Sequence, residues 1–190
     1  MTSSRTEIRD AMYAALGMAR ELVDGSGMVG FGVVEHRDGD GKLLLTLPFA
    51  NLITDTGDLY YAGKAIVGIS PANPSAPTAL TGMQIGSGST AAAKSGAGGA
   101  MVTFLAGQAF DATYPSTSNL GAGLGVNAVY KTTYAAGTGT GTVSEATITN
   151  GTIGTASTAG NTISRVTFTG IVKGAADSLA ITWNHKFLGA

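Results

Sequence analysis

The chain has 190 residues, eleven basic against twelve acidic side chains for a formal net charge of −1, and no cysteine. That length fits one domain of ordinary size, with or without a terminal arm, and the balanced charge gives no pull toward phosphate backbones or anionic membranes. The missing cysteines exclude disulfides, thiolate metal sites and cysteine nucleophiles together.

Charged residues make up only 12% of the chain, while glycine reaches 29 and threonine is nearly as frequent. The charges are uneven, with 15 of the 23 in residues 1–64. A surface this poor in charge is either a Thr/Ser-covered β-surface or one that neighbouring subunits cover. Residues 1–10 are charged and no apolar run follows them, so no secretory signal is expected, and no stretch is long and apolar enough to span a bilayer.

The first predicted element is an amphipathic helix over residues 1–24. Ser4 and Glu7 have capping-box spacing, Ile8, Met12, Leu16, Ala19 and Val23 fall on one face, and Gly25 stops it. Of the two uses for this narrow stripe, packing on its own domain or reaching onto a partner, the expectation is the second, an assembly face formed by Ile8, Met12, Leu16, Ala19 and Val23. We therefore divide the chain into an N-terminal helical arm, 1–27, and a β-domain, 28–190. Residues 28–35 and 42–47 read as a hairpin around the turn-rich 36–41, with Pro48 closing the return strand. Asp55 is placed to cap a short second helix with Leu59, Ala62, Gly63 and Ile66 on its buried face, and the three-proline loop 70–77 stops it.

Everything after Ala79 reads as β-rich. Strands are predicted at 83–85, at 126–134 paired with 143–149, and at 161–173 with a bend at Gly170, while 91–105 fits a helix or a loop. The last strand alternates most regularly, with Leu179, Ile181, Trp183, His185 and Phe187 on one face, of which Leu179, Ile181, Trp183 and Phe187 are assigned to the core. Short strands, glycine-rich turns and few helices predict a mainly β fold, an antiparallel β-sandwich or jelly roll with an N-terminal amphipathic helix and one short internal helix.

The search for chemistry gives negatives, so the expectation is no catalytic residue, no cofactor and no metal. His36 and His185 share no motif, and His185 reads as a core or interface histidine. Gly121, Gly123 and Gly125 are followed by valine where a dinucleotide fold needs its third glycine, and Gly63-Lys64 lies inside a predicted helix. Asp38 and Asp40 imitate the start of a calcium loop, but its twelfth position is Phe49 where a bidentate Glu is required. Asp55 and Asp58 have the spacing that a helix start favours without chemistry.

Several segments in order resemble one group of proteins. They are Asn51-Leu52-Ile53-Thr54 with Gly57-Asp58-Leu59; Ile85-Gly86-Ser87-Gly88-Ser89-Thr90; Glu145; Arg165-Val166-Thr167-Phe168 with Lys173; and Asp177-Ser178-Leu179-Ala180-Ile181-Thr182-Trp183. Over roughly 28–190 the chain resembles virion structural proteins of tailed bacteriophages, especially phages of actinobacteria. The resemblance implies a non-enzymatic particle component of the virion and does not fix its position on the particle; the leading expectation is a capsid decoration or collar component whose partners are copies of itself and other capsid or tail proteins, and the balanced charge adds the expectation of no nucleic acid and no membrane. Two alternatives stay open: a tail or fibre-base protein that contacts the host surface through loops such as 137–141 or 151–160, and a carbohydrate-binding β-sandwich module with Trp183 and the tyrosines as stacking groups.

Overall fold

The computed structural model describes residues 28–66, 78–119 and 125–187, without the side chains of Val29 and Ile66. The predicted helix over 1–24, with Ile8, Met12, Leu16, Ala19 and Val23, and the proline-rich loop 70–77 lie outside the described residues. The strands are β1 (Met28–Arg37), β2 (Leu43–Ile53), β3 (Gly82–Gly86), β4 (Phe104–Gln108), β5 (Ser116–Asn119), β6 (Val126–Tyr134), β7 (Gly141–Thr149), β8 (Thr162–Lys173) and β9 (Ser178–Phe187). One α-helix, α1 (Asp55–Ile66), and a 3₁₀ turn, Gly96–Gly99, complete the described elements.

The fold is mainly β. Every pairing is antiparallel, and the nine strands form one curled sheet, a half-barrel, in the order β4-β3-β7-β8-β2-β1-β9-β6-β5. The joint between its halves is narrow: β2 pairs with β1 from Leu43 to Asn51 but meets β8 only at Leu52↔Arg165 and Ile53↔Ser164. The expected sandwich or jelly roll thus takes the form of a single continuous sheet rather than two separate layers. Its concave side is filled from both halves, with Val34, Phe49, Leu179, Ile181 and Trp183 on one and Met83, Ile85, Ile148, Ile163 and Val166 on the other. Burial of these ten apolar side chains stabilises the fold by about 25 cal/mol for each Å² of apolar surface removed from water. Beyond β4 the chain is tied across the opening to β6, where the Asp111 amide donates to the Lys131 carbonyl and Asp111 Oδ1 accepts from the Thr133 amide, each at 2.8 Å.

Four expectations change. Pro48 does not end the return strand: β2 runs on to Ile53, with Pro48 opposite Val33. Among the described residues no strand pairs with β2 on its other side at Pro48, an edge position of the kind where proline is tolerated. Strands β6 and β7 do not pair with each other, since β6 lies between β9 and β5 and β7 between β3 and β8; the glycine turn between them carries the chain from one half of the sheet to the other. Helix α1 presents Gly57, Tyr60 and Tyr61 inward, whereas Leu59 is 73% exposed and Ala62 is also exposed. Its cap is Thr54, not Asp55: Thr54 Oγ1 accepts from the Gly57 amide at 3.0 Å and donates to the Thr162 and Ile163 carbonyls.

Candidate functional site

Three polar constellations are built into the sheet. The first surrounds His185, which β9 places on the concave face beside Trp183. Ser164 Oγ lies 2.9 Å from His185 Nε2, Tyr61 Oη lies 2.5 Å from Nδ1, and Tyr130 Oη lies 2.9 Å from Tyr61 Oη. Since a neutral imidazole donates from one nitrogen and accepts at the other, Ser164, His185, Tyr61 and Tyr130 form one directional chain of hydrogen bonds from β8 through β9 and α1 to β6. Rings pack edge-on around it, with Tyr61 to His185 at 5.6 Å and Tyr61 to Phe187 at 5.3 Å between centroids. Next to it Trp183 Nε1 donates to Asn51 Oδ1 at 2.7 Å, and the indole meets Phe49 edge-to-face at 5.0 Å.

A serine hydroxyl on an imidazole that a third group orients is the outline of nucleophilic catalysis. The electrostatics here run the other way. Ser164 and His185 are fully buried, and burial pulls the imidazole down to a pKa of about 3. The third group is a phenol that burial pushes far above its usual range, so no anion is present to support an imidazolium. Burial thus disfavours the imidazolium that proton uptake from Ser164 would form, and the hydrogen-bond chain ties β8, β9, α1 and β6 together in the core.

The second constellation is an ion pair with no solvent exposure, Glu145 on β7 and Arg165 on β8. Arg165 Nη2 and Nε donate to Glu145 Oε2 at 2.8 and 3.1 Å. Glu145 also accepts from the backbone amides of Gly88, Val102 and Thr103, while Arg165 Nη1 donates to the carbonyls of Thr90 and Gly98. The pair therefore clamps residues 87–103, an Ala/Gly-rich stretch with little apolar surface of its own, onto the sheet. Glycine is needed for this approach: a Cβ on Gly88 would stand 2.3 Å from Glu145 Oε1, and one on Gly86 2.7 Å from it. Gln84 treats the loop after β7 in the same way, its Nε2 donating to the carbonyls of Thr152, Ile153 and Thr155 and its Oε1 accepting from the Ser157 amide.

The third lies at the hairpin end. His36 Nε2 is 2.9 Å from Asp177 Oδ2, which also accepts from the Gly174 amide, and Lys173 Nζ donates to the carbonyls of Ala135 and Asp177. The hydrogen bond from His36 holds the Asp177 carboxyl below its ordinary value, and burial lowers Lys173 against the opposing field of Asp177. The turn that imitates a calcium loop is closed by its own backbone, since Asp38 Oδ1 accepts from the amides of Asp40 and Lys42. Among the described residues no group of three or more His, Asp or Glu is placed to hold a metal ion.

Of the residues singled out from the sequence, Leu179, Ile181 and Trp183 are fully buried and Phe187 is half-buried against Tyr61. Asp58 pairs with Lys94 at the surface. Sequence reasoning missed Ser164, Tyr61 and Tyr130 as partners of His185. They come from three distant segments, and the sole signal was a histidine at an apolar position of an alternating strand.

Fold and site together define a mainly β domain whose buried polar groups fasten its own loops to its own sheet. No protein-family model matches the chain, and no curated protein or solved structure is significantly similar to it.

Proposed function

We propose that this protein is a non-enzymatic structural component of a tailed-phage virion, a capsid decoration or collar protein that associates with copies of itself and with other particle proteins. The observation that carries this reading is how the polar groups are used. Of the six buried Glu, Arg, Lys and His side chains among the described residues, His36, Glu145, Arg165, Lys173 and His185 are spent on internal contacts, while the charge-poor surface leaves large apolar groups open, with Leu59 at 73%, Val172 at 71% and Leu44 at 51% exposure. Such a surface packs against protein with little charge to desolvate. The resemblance to phage structural proteins includes three of these residues, Glu145, Arg165 and Lys173, and the half-barrel supplies the mainly β scaffold that the reading expects.

The reading as a tail or fibre-base protein loses support in part, because Gln84 pins the loop after β7 and so restrains the surface with which it would adapt to a host. The carbohydrate-module reading loses its main stacking group, because Trp183 is buried and its indole nitrogen is bound to Asn51. Gold-labelled antibodies against the purified chain, applied to intact phage particles, test the proposal. Regular labelling of the head or neck supports it; particles that carry none of the chain contradict it.

A further inference from the structure

The convex face of the sheet carries a second buried patch. Residues that share a register row point to the same side, so the partners of Trp183, His185 and Phe187 face the core, and the residues between them face outward. Phe31 and Val33 on β1, Asn184 and Lys186 on β9, and Asn127 on β6 are therefore on the outside. Yet Val33 is 0%, Asn184 1% and Phe31 6% exposed, and neither Phe31 nor Val33 belongs to the concave core cluster. The burial is graded along the strands: the same face is partly open at Glu35 and Ala180 and fully open at Thr133, toward the hairpin end.

Two further observations say what kind of layer this face takes. Asn127 Nδ2 donates to Asn184 Oδ1 at 2.7 Å, and the remaining atoms of the pair, Asn127 Oδ1 and Asn184 Nδ2, are buried without a partner. A buried donor and acceptor left side by side call for a covering segment with polar groups as well as apolar ones. The patch also lies at the end of β1 where residues 1–27 join the sheet at Met28. That segment has the apolar stripe of Ile8, Met12, Leu16, Ala19 and Val23 between polar positions. As a helix of about 20 residues it would reach about 30 Å, ample to cross β2, β1, β9 and β6, whose axes span about 15 Å.

We propose that residues 1–27 are the occupant, docking their apolar stripe on the convex face of β1, β9 and β6 of the same chain and giving the curled sheet a second, outer core. This does not depend on the particle reading. The test uses the full chain, whose lack of cysteine permits single nitroxide labels at Arg9→Cys and Glu21→Cys, positions off the stripe. In isotope-labelled protein both labels should broaden the amide signals of Phe31, Val33, Asn127 and Asn184, with little effect on Ile148 and Val166 in the other half. Mixing spin-labelled, isotopically silent chains with unlabelled isotope-enriched ones should give no broadening. Adding Leu16→Asp to the labelled chain should abolish the effect while the Trp183 indole signal stays in place. Broadening that appears only in the mixed sample would assign the face to a neighbour's segment and overturn the proposal, as would labels that broaden no amide on this face.

Discussion

At the scale of single residues, stability rests on whether buried polar groups keep their partners. Arg165→Leu would leave the Glu145 carboxylate buried without its counter-charge, a change that typically costs about 3–5 kcal/mol. We expect a loss of that order in denaturant unfolding, with faster amide exchange across 87–103. The exposed Lys94–Asp58 pair is a control, because exposed pairs contribute about 1 kcal/mol or less. His185 gives a second prediction. Its pKa falls from an ordinary 6.5 to about 3 on folding, so the unfolded chain binds the extra proton between those values. The stability due to the neutral imidazole is complete above the ordinary value and declines as pH falls below it, by about 1.4 kcal/mol per pH unit once the unfolded histidine is protonated. Unfolding curves between about pH 6.5 and 4.5 should therefore be flatter in His185→Gln than in the wild type. Equal slopes would show that the imidazole is not held neutral.

At the scale of elements, α1 separates what periodicity reveals from what packing decides. Asp55, Leu59 and Ala62 have the spacing of a capped amphipathic helix, and the helix is there, but turned so that Gly57 and two tyrosines face the sheet. The reason is local: Thr54 binds the carbonyls of β8 and fixes the first turn, and Gly57 then sits so close that a Cβ would stand 2.2 Å from the Ile163 carbonyl oxygen. Gly57→Ala should cost about 1–3 kcal/mol, the range for overpacking, and Leu59→Ser should change the stability of the dissociated monomer by less than about 0.5 kcal/mol; thermal unfolding of the two variants at concentrations dilute enough to dissociate any oligomer checks both. Strand β9 was legible from alternation alone, because one of its faces is uniformly apolar from Leu179 to Trp183. Strands β4 and β5 were not, since Phe104–Gln108 and Ser116–Asn119 are short and their pairing is set by long-range neighbours.

At the scale of the whole molecule, the mainly β class was readable from composition and turn spacing, whereas strand order was not. The predicted pairing of β6 with β7 follows a rule of local hairpins, and it fails because both edges of each strand are taken by other partners, β6 by β9 and β5 and β7 by β3 and β8. Several residues of the segments from which the function is proposed also hold this architecture, with Thr54 and Gly57 under α1, Gly86 and Gly88 against Glu145, Arg165 opposite it, Lys173 with Asp177, and Trp183 on Asn51, while Gln84, Ser164 and His185 hold it from outside those segments. Their order in the sequence thus encodes how loops are fastened to a sheet, and the function proposed from them is the building of a larger assembly. Sedimentation equilibrium of the full purified chain over a wide concentration range tests that most directly. The account predicts a discrete symmetric oligomer that Leu59→Ser or Val172→Ser weakens without unfolding the monomer; a chain that stays monomeric at every concentration would contradict it.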